Sequence, residues 1–350
     1  MRVSGIAAAV PRTIVRPSFA YERFDRLTVD RIVENTGVRE KREAAPGTTA
    51  TDLCIAAAQP LLDRLGWDRD SIDALVLVTM LPDHYLPASS HRAQLALGLP
   101  KRCLVFDINL GCSGYTHGLI ILSGLMKAGI IGRALLLCGE MVTGCFKPRM
   151  ADLEHRSDLA NTLLIGDAGS ATALSSEGPD QIRGMQFRAD GSGFSQIIVQ
   201  GGGARRFWSS ALCERHPEAD ETRRPLDLTL HGPQILTFAM KEVPRLFDAL
   251  LDDCGWTRDD IDVCVPHQAN AFMLDVLRKR MKLPEDRLLL SIQEFGNTSS
   301  ASIPLTMVTR GEERLRRSTK WLLLGFGVGL SWSGVGLHTD EIVTAPLVEV

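Results

Sequence analysis

The feature that most constrains the fold of this chain is an internal repeat. Residues 61–76 read LLDRLGWDRDSIDALV and residues 250–265 read LLDDCGWTRDDIDVCV, so ten of the sixteen positions are identical. Each segment has the pattern of a helix end, a Gly-Trp turn, an acidic linker and a short apolar strand. Because matched segments at a fixed offset indicate a duplicated structural unit, the repeat predicts two related halves built from strands and helices.

The remaining segments predict the same fold class. Residues 103–110 and 134–140 are nearly continuous apolar runs, which is typical of strands buried on both faces. Residues 113–129 lie between them and predict a helix that ends at a Lys-Ala-Gly sequence. Residues 224–251 predict a strand followed by a long helix, and residues 321–338 predict two last strands joined by glycines. This alternation of strands and helices predicts a layered α/β fold.

The chain is long enough for two halves of ordinary domain size. It has 350 residues, of which 45% are hydrophobic, so it can bury a large core. The sequence SSEGPDQ near residue 175 has the composition of a connecting loop. We therefore place the N-terminal half at residues 1–174 and the C-terminal half at residues 175–350.

Charge and cysteine content exclude several classes of protein. The net charge is −3 and no basic block is longer than RLRR, which argues against nucleic acid as the main partner. No stretch approaches the roughly 18 apolar residues that a membrane-spanning helix needs, and MRVSGIAAAVP has the pattern of a first strand and not of a signal peptide. The eight cysteines show no metal-binding or disulfide spacing. We therefore expect a cytoplasmic protein with no membrane partner, no nucleic-acid partner and no metal.

One cysteine has the surroundings of a nucleophile. Cys112 lies in FDINLGCSGYTHGL, where a predicted strand gives way to a predicted helix, and Gly111 and Gly114 permit a sharp turn. Such a turn exposes a nucleophile at the N-terminus of the helix. Because the free N–H groups and the dipole of that terminus favour the thiolate, we expect the pKa of Cys112 to be lowered. A buried structural cysteine is the alternative for this residue taken alone.

Two further polar residues follow predicted strands of the second half. His267 lies in VPHQAN after the apolar run IDVCV, and Asn297 lies in FGNTSSASIP after LLLSI. Ligands of α/β proteins bind at the carboxyl ends of strands, so we expect Cys112, His267 and Asn297 to converge. A structural histidine and a capping turn at Asn297 are the alternatives.

Two glycine-rich stretches are candidate ligand-facing segments. Residues 325–332, GFGVGLSW, match neither the phosphate-loop nor the dinucleotide-binding pattern and lie between two predicted strands. A backbone of this kind can approach a ligand and present an N–H group to an oxyanion, and a tight hairpin is the alternative. Residues 201–224 are long, polar and glycine-led, which favours a lid or a substrate-facing loop.

These motifs together resemble those of the β-ketoacyl-acyl carrier protein synthase III family, which belongs to the thiolase-fold superfamily. The matching sequences are, in order, ENTGVREKR (34–42), GCSGY with Cys112, GDAGSA (166–171), VPHQAN with His267, GNTSSASIP with Asn297 and GFGVGLSW (325–332). The resemblance spans almost the whole chain. It implies a thiolase-like fold in which two duplicated α/β halves form αβαβα layers.

The resemblance implies a two-step reaction. An acyl group from acyl-coenzyme A is loaded onto Cys112, and a malonyl thioester, on acyl carrier protein or on coenzyme A, then loses carbon dioxide. The resulting enolate attacks the acyl-cysteine and gives a β-ketoacyl product. His267 and Asn297 donate hydrogen bonds to the thioester carbonyl, and the backbone N–H groups of Cys112 and Val328 form the oxyanion hole.

The resemblance also implies the substrates, the assembly and the pathway class. Coenzyme A enters as a thioester substrate, and no cofactor is bound permanently. The residues implied to contact it are Thr36, Gly37, Arg39, Gly232 and Asn270. A homodimer acting in fatty acid or related lipid biosynthesis is expected.

Four positions depart from the pattern of the family. Arg31 stands where common members carry a tryptophan, and Leu159 where they carry an arginine, both of which bind coenzyme A. Phe272 stands where they carry an arginine for the carrier protein, and Val328 replaces the middle of three glycines. These departures favour a specialised member with a different acyl chain or acceptor. The candidate pocket walls are Leu86, Leu163 and residues 201–224.

Three other functions remain as alternatives. The nearest is an acyltransferase that moves the acyl group from Cys112 to an oxygen or nitrogen acceptor without decarboxylation. A papain-like cysteine hydrolase also has Cys, His and Asn in this order, but its nucleophile lies near the N-terminus of the mature chain. A non-catalytic subunit that only pairs with an active homologue is the third, and the presence of Cys112 argues against it.

Overall fold

The computed structural model describes residues 1–146, 156–207, 209 and 226–350. The strands are β1 (Arg2–Val10), β2 (Ile14–Val15), β3 (Lys41–Arg42), β4 (Ala74–Val78), β5 (Leu104–Ile108), β6 (Arg133–Glu140), β7 (Ala168–Ser175), β8 (Ile182–Ala189), β9 (Ile197–Ile198), β10 (Thr229–Leu230), β11 (Val263–Pro266), β12 (Thr319–Gly327), β13 (Ser331–Thr339), β14 (Val343–Thr344) and β15 (Val348–Glu349). The helices are α1 (Arg26–Thr36), α2 (Ala50–Leu65), α3 (Ser89–Ala96), α4 (Gly114–Lys127), α5 (Val142–Phe146), α6 (Arg156–Leu164), α7 (Gly232–Cys254), α8 (Ala271–Met281), α9 (Ile292–Phe295), α10 (Ser302–Arg310) and α11 (Glu312–Leu315).

Two large sheets repeat one connection pattern. In the first sheet β1 pairs antiparallel with β7, β7 antiparallel with β6, and β6 parallel with β4. In the second sheet β8 pairs antiparallel with β13, β13 antiparallel with β12, and β12 parallel with β11. The first sheet is extended by β5 next to β4 and by the late strands β14 and β15 next to β1. The same topology therefore occurs twice along the chain.

The repeated sequence segments form equivalent structures in the two sheets. Gly66 and Gly255 end α2 and α7 in the left-handed conformation, with φ of 61° and 65°. Asp73 precedes β4 and accepts hydrogen bonds from the backbone at the start of β6, and Asp262 precedes β11 and accepts one from the backbone of β12. The shared residues of the repeat thus set the same turn and the same strand pairing in both halves.

Helices and sheets alternate in layers. The helices α4 and α10 lie between the two sheets, because α4 contacts β6, β12 and β13, and α10 contacts β1, β7 and β11. The outer face of the first sheet is covered by α2 and α3, and that of the second sheet by α7 and α8. Each interlayer space has its own apolar cluster, and the largest fills the space between the sheets. This is the αβαβα arrangement that the sequence predicts.

The caps of the helices follow from local sequence. Thr49 and Asp52 form a reciprocal capping box at the start of α2, and Asn270 Oδ1 accepts from the backbone N–H of Met273 at the start of α8. Lys127 lies in the last turn of α4, and Gly129 follows that helix with φ of 70°. These signals fix the starts of α2 and α8 and the end of α4.

The sequence predictions for the strands are confirmed with two exceptions. The run LLLSI (288–292) forms no strand, because only Leu288 makes an isolated bridge, to Cys264, and Ile292 already begins α9. The strand within residues 134–140 is buried along β6, as predicted. The burial predicted for residues 103–110 is wrong, because β5 lies at the edge of the sheet and Leu104 is 42% exposed. The position at which we divide the chain, 174/175, falls at the last residue of β7.

Within the ranges that the structure describes, no helix combines the length and the apolar character that crossing a membrane requires. The longest of these helices, α7, has 23 residues and presents an apolar face to β8 and β13 and charged residues on its other side. Its amphipathic pattern is typical of a helix that covers a sheet.

Candidate active site

Cys112 lies in the tight turn between β5 and α4. The backbone N–H of Gly114 donates to the carbonyl of Gly111 at 2.7 Å and closes this turn. A Cβ atom on residue 114 would lie 2.3 Å from Val78 Cγ1, so only glycine allows the helix to approach β4 this closely. The turn leaves the Cys112 side chain partly accessible at the carboxyl end of the first sheet.

The ionisation of Cys112 differs from the sequence prediction. Burial raises the pKa of its thiol to about 11, and the negative charge of Glu140 acts in the same direction. Hydrogen bonds from the Ser299 hydroxyl and from the N–H groups of Val328 and of Cys112 itself lower the pKa. The prediction of a lowered pKa is therefore wrong for the free protein, because the loss of water outweighs the donors of the turn. Any reaction in which this sulfur acts as a nucleophile therefore requires a proton acceptor.

His267 follows β11 and is held in place from three sides. Its backbone N–H donates to Leu324 O at 2.7 Å, its ring meets the Phe326 ring edge-on at 5.6 Å, and Nδ1 lies 2.8 Å from Ser302 Oγ. The side chain is only 2% exposed. Burial lowers its pKa to about 3, although hydrogen bonding to the carbonyl of Ser299 opposes this. The imidazole is therefore neutral at physiological pH.

Asn297 is fixed through both its backbone and its side chain. Its backbone N–H donates to Leu164 O at 2.8 Å, and its carbonyl accepts from the N–H of Gly166 at 3.1 Å. The side-chain Oδ1 accepts from Ser299 N at 2.9 Å, and Nδ2 donates to Ala269 O at 3.4 Å. An amide nitrogen has two hydrogens, so one remains to donate to a ligand.

The glycine-rich residues 325–332 form the hairpin between β12 and β13 and also approach the cysteine. Gly327 has φ of 156°, and a Cβ atom there would lie 2.9 Å from Cys112 Sγ. This close approach brings the N–H of Val328 within hydrogen-bonding reach of the sulfur. Residues 325–332 therefore form a hairpin and also present backbone to the cavity, so both interpretations of this segment hold.

One cavity of about 770 Å³ brings these groups together. Its polar lining includes Cys112, His267, Asn297, Ser299 and the backbone at Val328. Much of its wall is aliphatic, contributed by Ile165, Ile197, Ile198, Val199, Leu228, Leu230, Ile235 and Leu236. A thiol, a neutral imidazole, a free amide hydrogen and two backbone donors in an apolar cavity can bind an acyl chain and stabilise negative charge on its carbonyl oxygen.

Comparison with known proteins agrees with this chemistry. The profile of 3-oxoacyl-[acyl-carrier-protein] synthase III matches residues 106–191, and that of its C-terminal domain matches residues 251–339. A β-ketoacyl-[acyl-carrier-protein] synthase III from Roseiflexus castenholzii is 31% identical over 334 residues, which cover 95% of this chain and 96% of that protein. The chain belongs to the β-ketoacyl-acyl carrier protein synthase III family.

Solved structures of the same family confirm the fold. A 3-oxoacyl-(acyl-carrier protein) synthase from Burkholderia xenovorans has a TM-score of 0.90 and 36% identity, and the match covers 100% of this chain and 97% of that one. The priming β-ketosynthase of the R1128 polyketide pathway has a TM-score of 0.82 and 26% identity, with 97% and 96% covered. The chain is thus a thiolase-fold condensing acyltransferase, as the sequence predicts.

The residues that the synthase III resemblance implies for coenzyme A binding divide into two groups. Gly232 and Asn270 line the cavity. Thr36, Gly37 and Arg39 do not line it but lie at the end of α1, where a Cβ atom on Gly37 would be 2.4 Å from Ala271 Cβ. The end of α1 therefore lies against the start of α8, directly beside Asn270.

The departures from the synthase III pattern lie in different surroundings. Arg31 is exposed on α1, and Phe272 lines the cavity with 54% of its surface exposed. Leu159 is completely buried in the contact between α1 and α6, and it packs in a cluster with Ala20, Val29, Ile32 and Leu163. Leu159 is therefore a packing residue and offers no hydrogen bond to a ligand.

The proposed pocket walls are mostly wrong. Leu163 is buried in that α1–α6 cluster, and Leu86 is 86% exposed, and neither lines the cavity. Residues 201–207 and 209 form turns at the surface, and the rest of the predicted loop 201–224 lies outside the described residues. The aliphatic wall comes instead from the segments around β9, β10 and the start of α7.

Two functional candidates were missed by the sequence analysis. Glu140 is fully buried at the end of β6, and Ser299 Oγ lies 3.9 Å from Cys112 Sγ. The signal for Glu140 was available, because it is a charged residue that ends an otherwise apolar strand in ALLLCGE. Ser299 gave no comparable signal within its run of small polar residues.

Proposed function

We propose that this synthase III homologue transfers an acyl group from acyl-coenzyme A to Cys112 and condenses it with a malonyl thioester, releasing carbon dioxide and a β-ketoacyl product. The observation that carries the proposal is the meeting of Cys112, His267 and Asn297 in one apolar-walled cavity. A thiol nucleophile serves the first half-reaction. Two neutral hydrogen-bond donors serve the second half-reaction, because they stabilise an enolate without protonating its carbon.

In the first half-reaction the Cys112 thiolate attacks the acyl carbonyl and coenzyme A leaves as its thiol. The carbonyl oxygen becomes negative in the tetrahedral intermediate and accepts from the backbone N–H groups of Cys112 and Val328. Both groups already hydrogen bond the Cys112 sulfur, which supports this assignment. Donors that are fixed before the reaction lower the barrier without reorganisation.

In the second half-reaction His267 and Asn297 donate to the thioester carbonyl of the malonyl group. The bond to the carboxylate carbon breaks, carbon dioxide leaves, and the electron pair enters the enolate. The enolate carbon then attacks the acyl-cysteine, and Cys112 leaves as thiolate. The neutral state of His267 supports this role, because an imidazolium would favour proton transfer over hydrogen bonding.

This role requires the hydrogen of neutral His267 to be on Nε2. Ser302 Oγ lies 2.8 Å from Nδ1 and 2.7 Å from the carbonyl oxygen of Ser299, and a hydroxyl has one hydrogen to donate. Donation to Nδ1 leaves Nε2 protonated and able to bind the carbonyl. In the structure the hydroxyl donates to the Ser299 carbonyl, which places the hydrogen on Nδ1, so the proposed role requires the Ser302 hydroxyl to turn towards Nδ1.

The substrates, assembly and location follow as parts of the proposal. Acyl-coenzyme A and malonyl-acyl carrier protein or malonyl-coenzyme A are the substrates, in fatty acid or related lipid biosynthesis. A homodimer formed through β5 is supported by the apolar edge that this strand presents. A cytoplasmic location is supported by the described cysteines, which carry free thiols.

The test is release of labelled carbon dioxide. The protein is incubated with a panel of acyl-coenzyme A thioesters and then with carboxyl-labelled malonyl carrier protein or malonyl-coenzyme A. We expect acyl-dependent release of label and a matching mass increase on Cys112 before the malonyl substrate is added. Cys112→Ala is the control and should give neither signal.

Two other outcomes would contradict the proposal. An acyl adduct on Cys112 without release of label would favour transfer to an oxygen or nitrogen acceptor. Full activity of Cys112→Ala would remove the cysteine from the mechanism altogether.

A further inference from the structure

A buried carboxylate lies next to the nucleophile and has no counter-ion. Glu140 is 0% exposed, and among the ion pairs of the described residues none includes it. Its oxygens accept from the backbone N–H of Met80 at 3.2 and 3.3 Å, from Thr79 Oγ1 at 3.4 Å and from Ser300 Oγ at 3.3 Å. Neutral donors compensate a buried charge only in part, so a carboxylate in this position is costly and is a candidate for function.

Ser299 connects this carboxylate with Cys112. Its side chain is 5% exposed, and Oγ lies 3.9 Å from Cys112 Sγ. The same hydroxyl can give its one hydrogen to Glu140 instead, which lowers the pKa of that carboxyl, and its oxygen then accepts from the Cys112 thiol. The backbone of Ser299 has φ of 50°, which is uncommon for a residue other than glycine. The loop is thus bent at the residue whose hydroxyl lies between thiol and carboxylate.

We propose that Ser299 and Glu140 form a proton relay that takes the thiol proton of Cys112 during acylation. The S–H bond breaks as sulfur bonds to the acyl carbon, Ser299 Oγ receives that proton, and the hydroxyl's own proton passes to Glu140. When the intermediate collapses, the bond from the acyl carbon to the leaving group breaks, and the proton returns by the same path to a leaving thiolate. The net reaction is thiol plus thioester giving thioester plus thiol.

The relay provides the proton acceptor that the buried thiol of Cys112 requires. Burial raises the pKa of Glu140 to about 8, whereas burial lowers the pKa of His267 to about 3. Glu140 therefore holds a proton far more strongly than His267 and is the better acceptor for a thiol of raised pKa. His267 stays neutral throughout, which is the state that its proposed role in the second half-reaction requires.

The buried cysteines around Glu140 do not titrate in the same pH range. The charge of Glu140 acts on Cys54 on α2 and on Cys138 on β6. Burial raises the pKa of Cys54 to about 12 and that of Cys138 well above its usual range. Asp83 acts on Cys54 from the segment after β4. A change of rate near pH 8 therefore reports on Glu140.

The test is single-turnover acylation of Cys112 by p-nitrophenyl butyrate, which releases a coloured product and needs no coenzyme A. The wild-type rate should rise to a plateau above about pH 8 and should fall at least twofold in deuterated water. Glu140→Gln and Ser299→Ala should each be slower at pH 8 by about tenfold or more. Both variants should lose the step near pH 8 and the solvent isotope effect. Intact mass should assign the adduct to Cys112.

Two controls separate the relay from a structural effect. Ser300→Ala also removes a hydrogen bond to Glu140 but does not contact Cys112, so it should keep the step and the isotope effect. Glu140→Asp retains a carboxylate and should recover part of the rate that Glu140→Gln loses. If the carboxylate only repelled the thiolate, Glu140→Gln would react faster than wild type, and that result would overturn the relay.

The relay depends on the proposed function only in taking Cys112 as the nucleophile. Failure of that function appears as a wild-type protein that forms no adduct at Cys112, which removes the relay as well. Failure of the relay alone appears as a wild-type adduct with undiminished rates in Ser299→Ala and Glu140→Gln.

Discussion

At the scale of the residue, burial disfavours the charged forms of the ionisable groups in and beside the cavity. It raises the pKa of Cys112 to about 11 and that of Glu140 to about 8, and it lowers the pKa of His267 to about 3. All three shifts have the same cause, because a low-dielectric surrounding disfavours whichever form carries charge. The free site is therefore poised with a thiol that must transfer its proton and an imidazole that can donate a hydrogen bond.

The position of the hydrogen on His267 is a direct prediction. We expect Nε2 to be protonated, with the Ser302 hydroxyl turned from the Ser299 carbonyl to Nδ1, because the enolate needs a donor on the cavity side. Nitrogen-15 NMR of histidine-labelled protein distinguishes the two ring nitrogens, and the spectrum of His267→Ala identifies the signal. A protonated Nδ1 would contradict the donor role. The ring should stay neutral down to pH 5, since burial lowers its pKa to about 3.

Glu140 should make stability depend on pH. Burial raises its pKa from 4.5 to about 8, so between these values the folded protein binds more protons at this site than the unfolded chain. The free energy of unfolding should therefore fall as the pH rises from about 5 to 8, and this contribution should stay constant above 8. Each pKa unit corresponds to about 1.4 kcal/mol, so a loss of a few kcal/mol is expected.

The measurement for this prediction is chemical denaturation of wild type and Glu140→Gln at several pH values. The variant lacks the ionising group, so the difference in unfolding free energy between the two proteins should grow between pH 5 and 8 in favour of the variant. A difference that is independent of pH would contradict the raised pKa.

At the scale of the element, the contact between the β12–β13 hairpin and the first turn of α4 positions Cys112. Ser113 Oγ lies 2.6 Å from Ser331 Oγ, and Thr116 Oγ1 lies 2.6 Å from Ser333 Oγ. Gly325 makes room for this contact, because a Cβ atom there would lie 2.6 Å from Thr116 Oγ1. Strands of the second half thus hold a helix of the first half.

Gly325→Ala should disturb both stability and acylation. The added methyl group would also lie 2.8 Å from Ser113 Cα, so the start of α4 would have to move together with Cys112. We expect a loss of about 1–3 kcal/mol in unfolding free energy, as for other overpacked sites, and slower acylation of Cys112. Thermal denaturation and adduct formation measure the two effects. Gly124→Ala is the matched control on α4, because no atom lies within 4 Å of its Cβ position.

At the scale of the whole molecule, the duplicated halves meet around one cavity. The first half supplies Cys112 from the carboxyl end of β5, and the second half supplies His267 from the carboxyl end of β11 and Asn297 from the loop after α9. One edge of the first sheet is formed by β5, whose residues are only partly buried. An unpaired apolar edge strand invites pairing with another chain.

Leu104→Arg should dissociate the proposed homodimer. Leu104 is 42% exposed at the start of β5, and burying an unpaired guanidinium between two copies would cost several kcal/mol. Sedimentation velocity should give a dimer for wild type and a monomer for the variant. Leu27→Arg is the control, since Leu27 is 60% exposed and lies on α1, outside the first sheet. A monomeric wild type would remove β5 as a proposed interface.

The sequence by itself determined the layered fold and drew attention to Cys112, His267 and Asn297. These predictions depend on local information, because the repeat, the apolar strands and the motifs at strand ends are readable over a few neighbouring residues. The identification of the family and the existence of one cavity around the three residues agree with it.

Only the tertiary structure decided how those residues ionise and what surrounds them. Ser299 is separated from Cys112 by 187 positions, and Glu140 from Ser300 by 160 positions, so no local pattern predicts that they meet. The expected pKa of Cys112 was wrong because burial is a property of the packed interior. For the same reason the sequence could not tell an apolar strand at a sheet edge, β5, from one in the middle, β6.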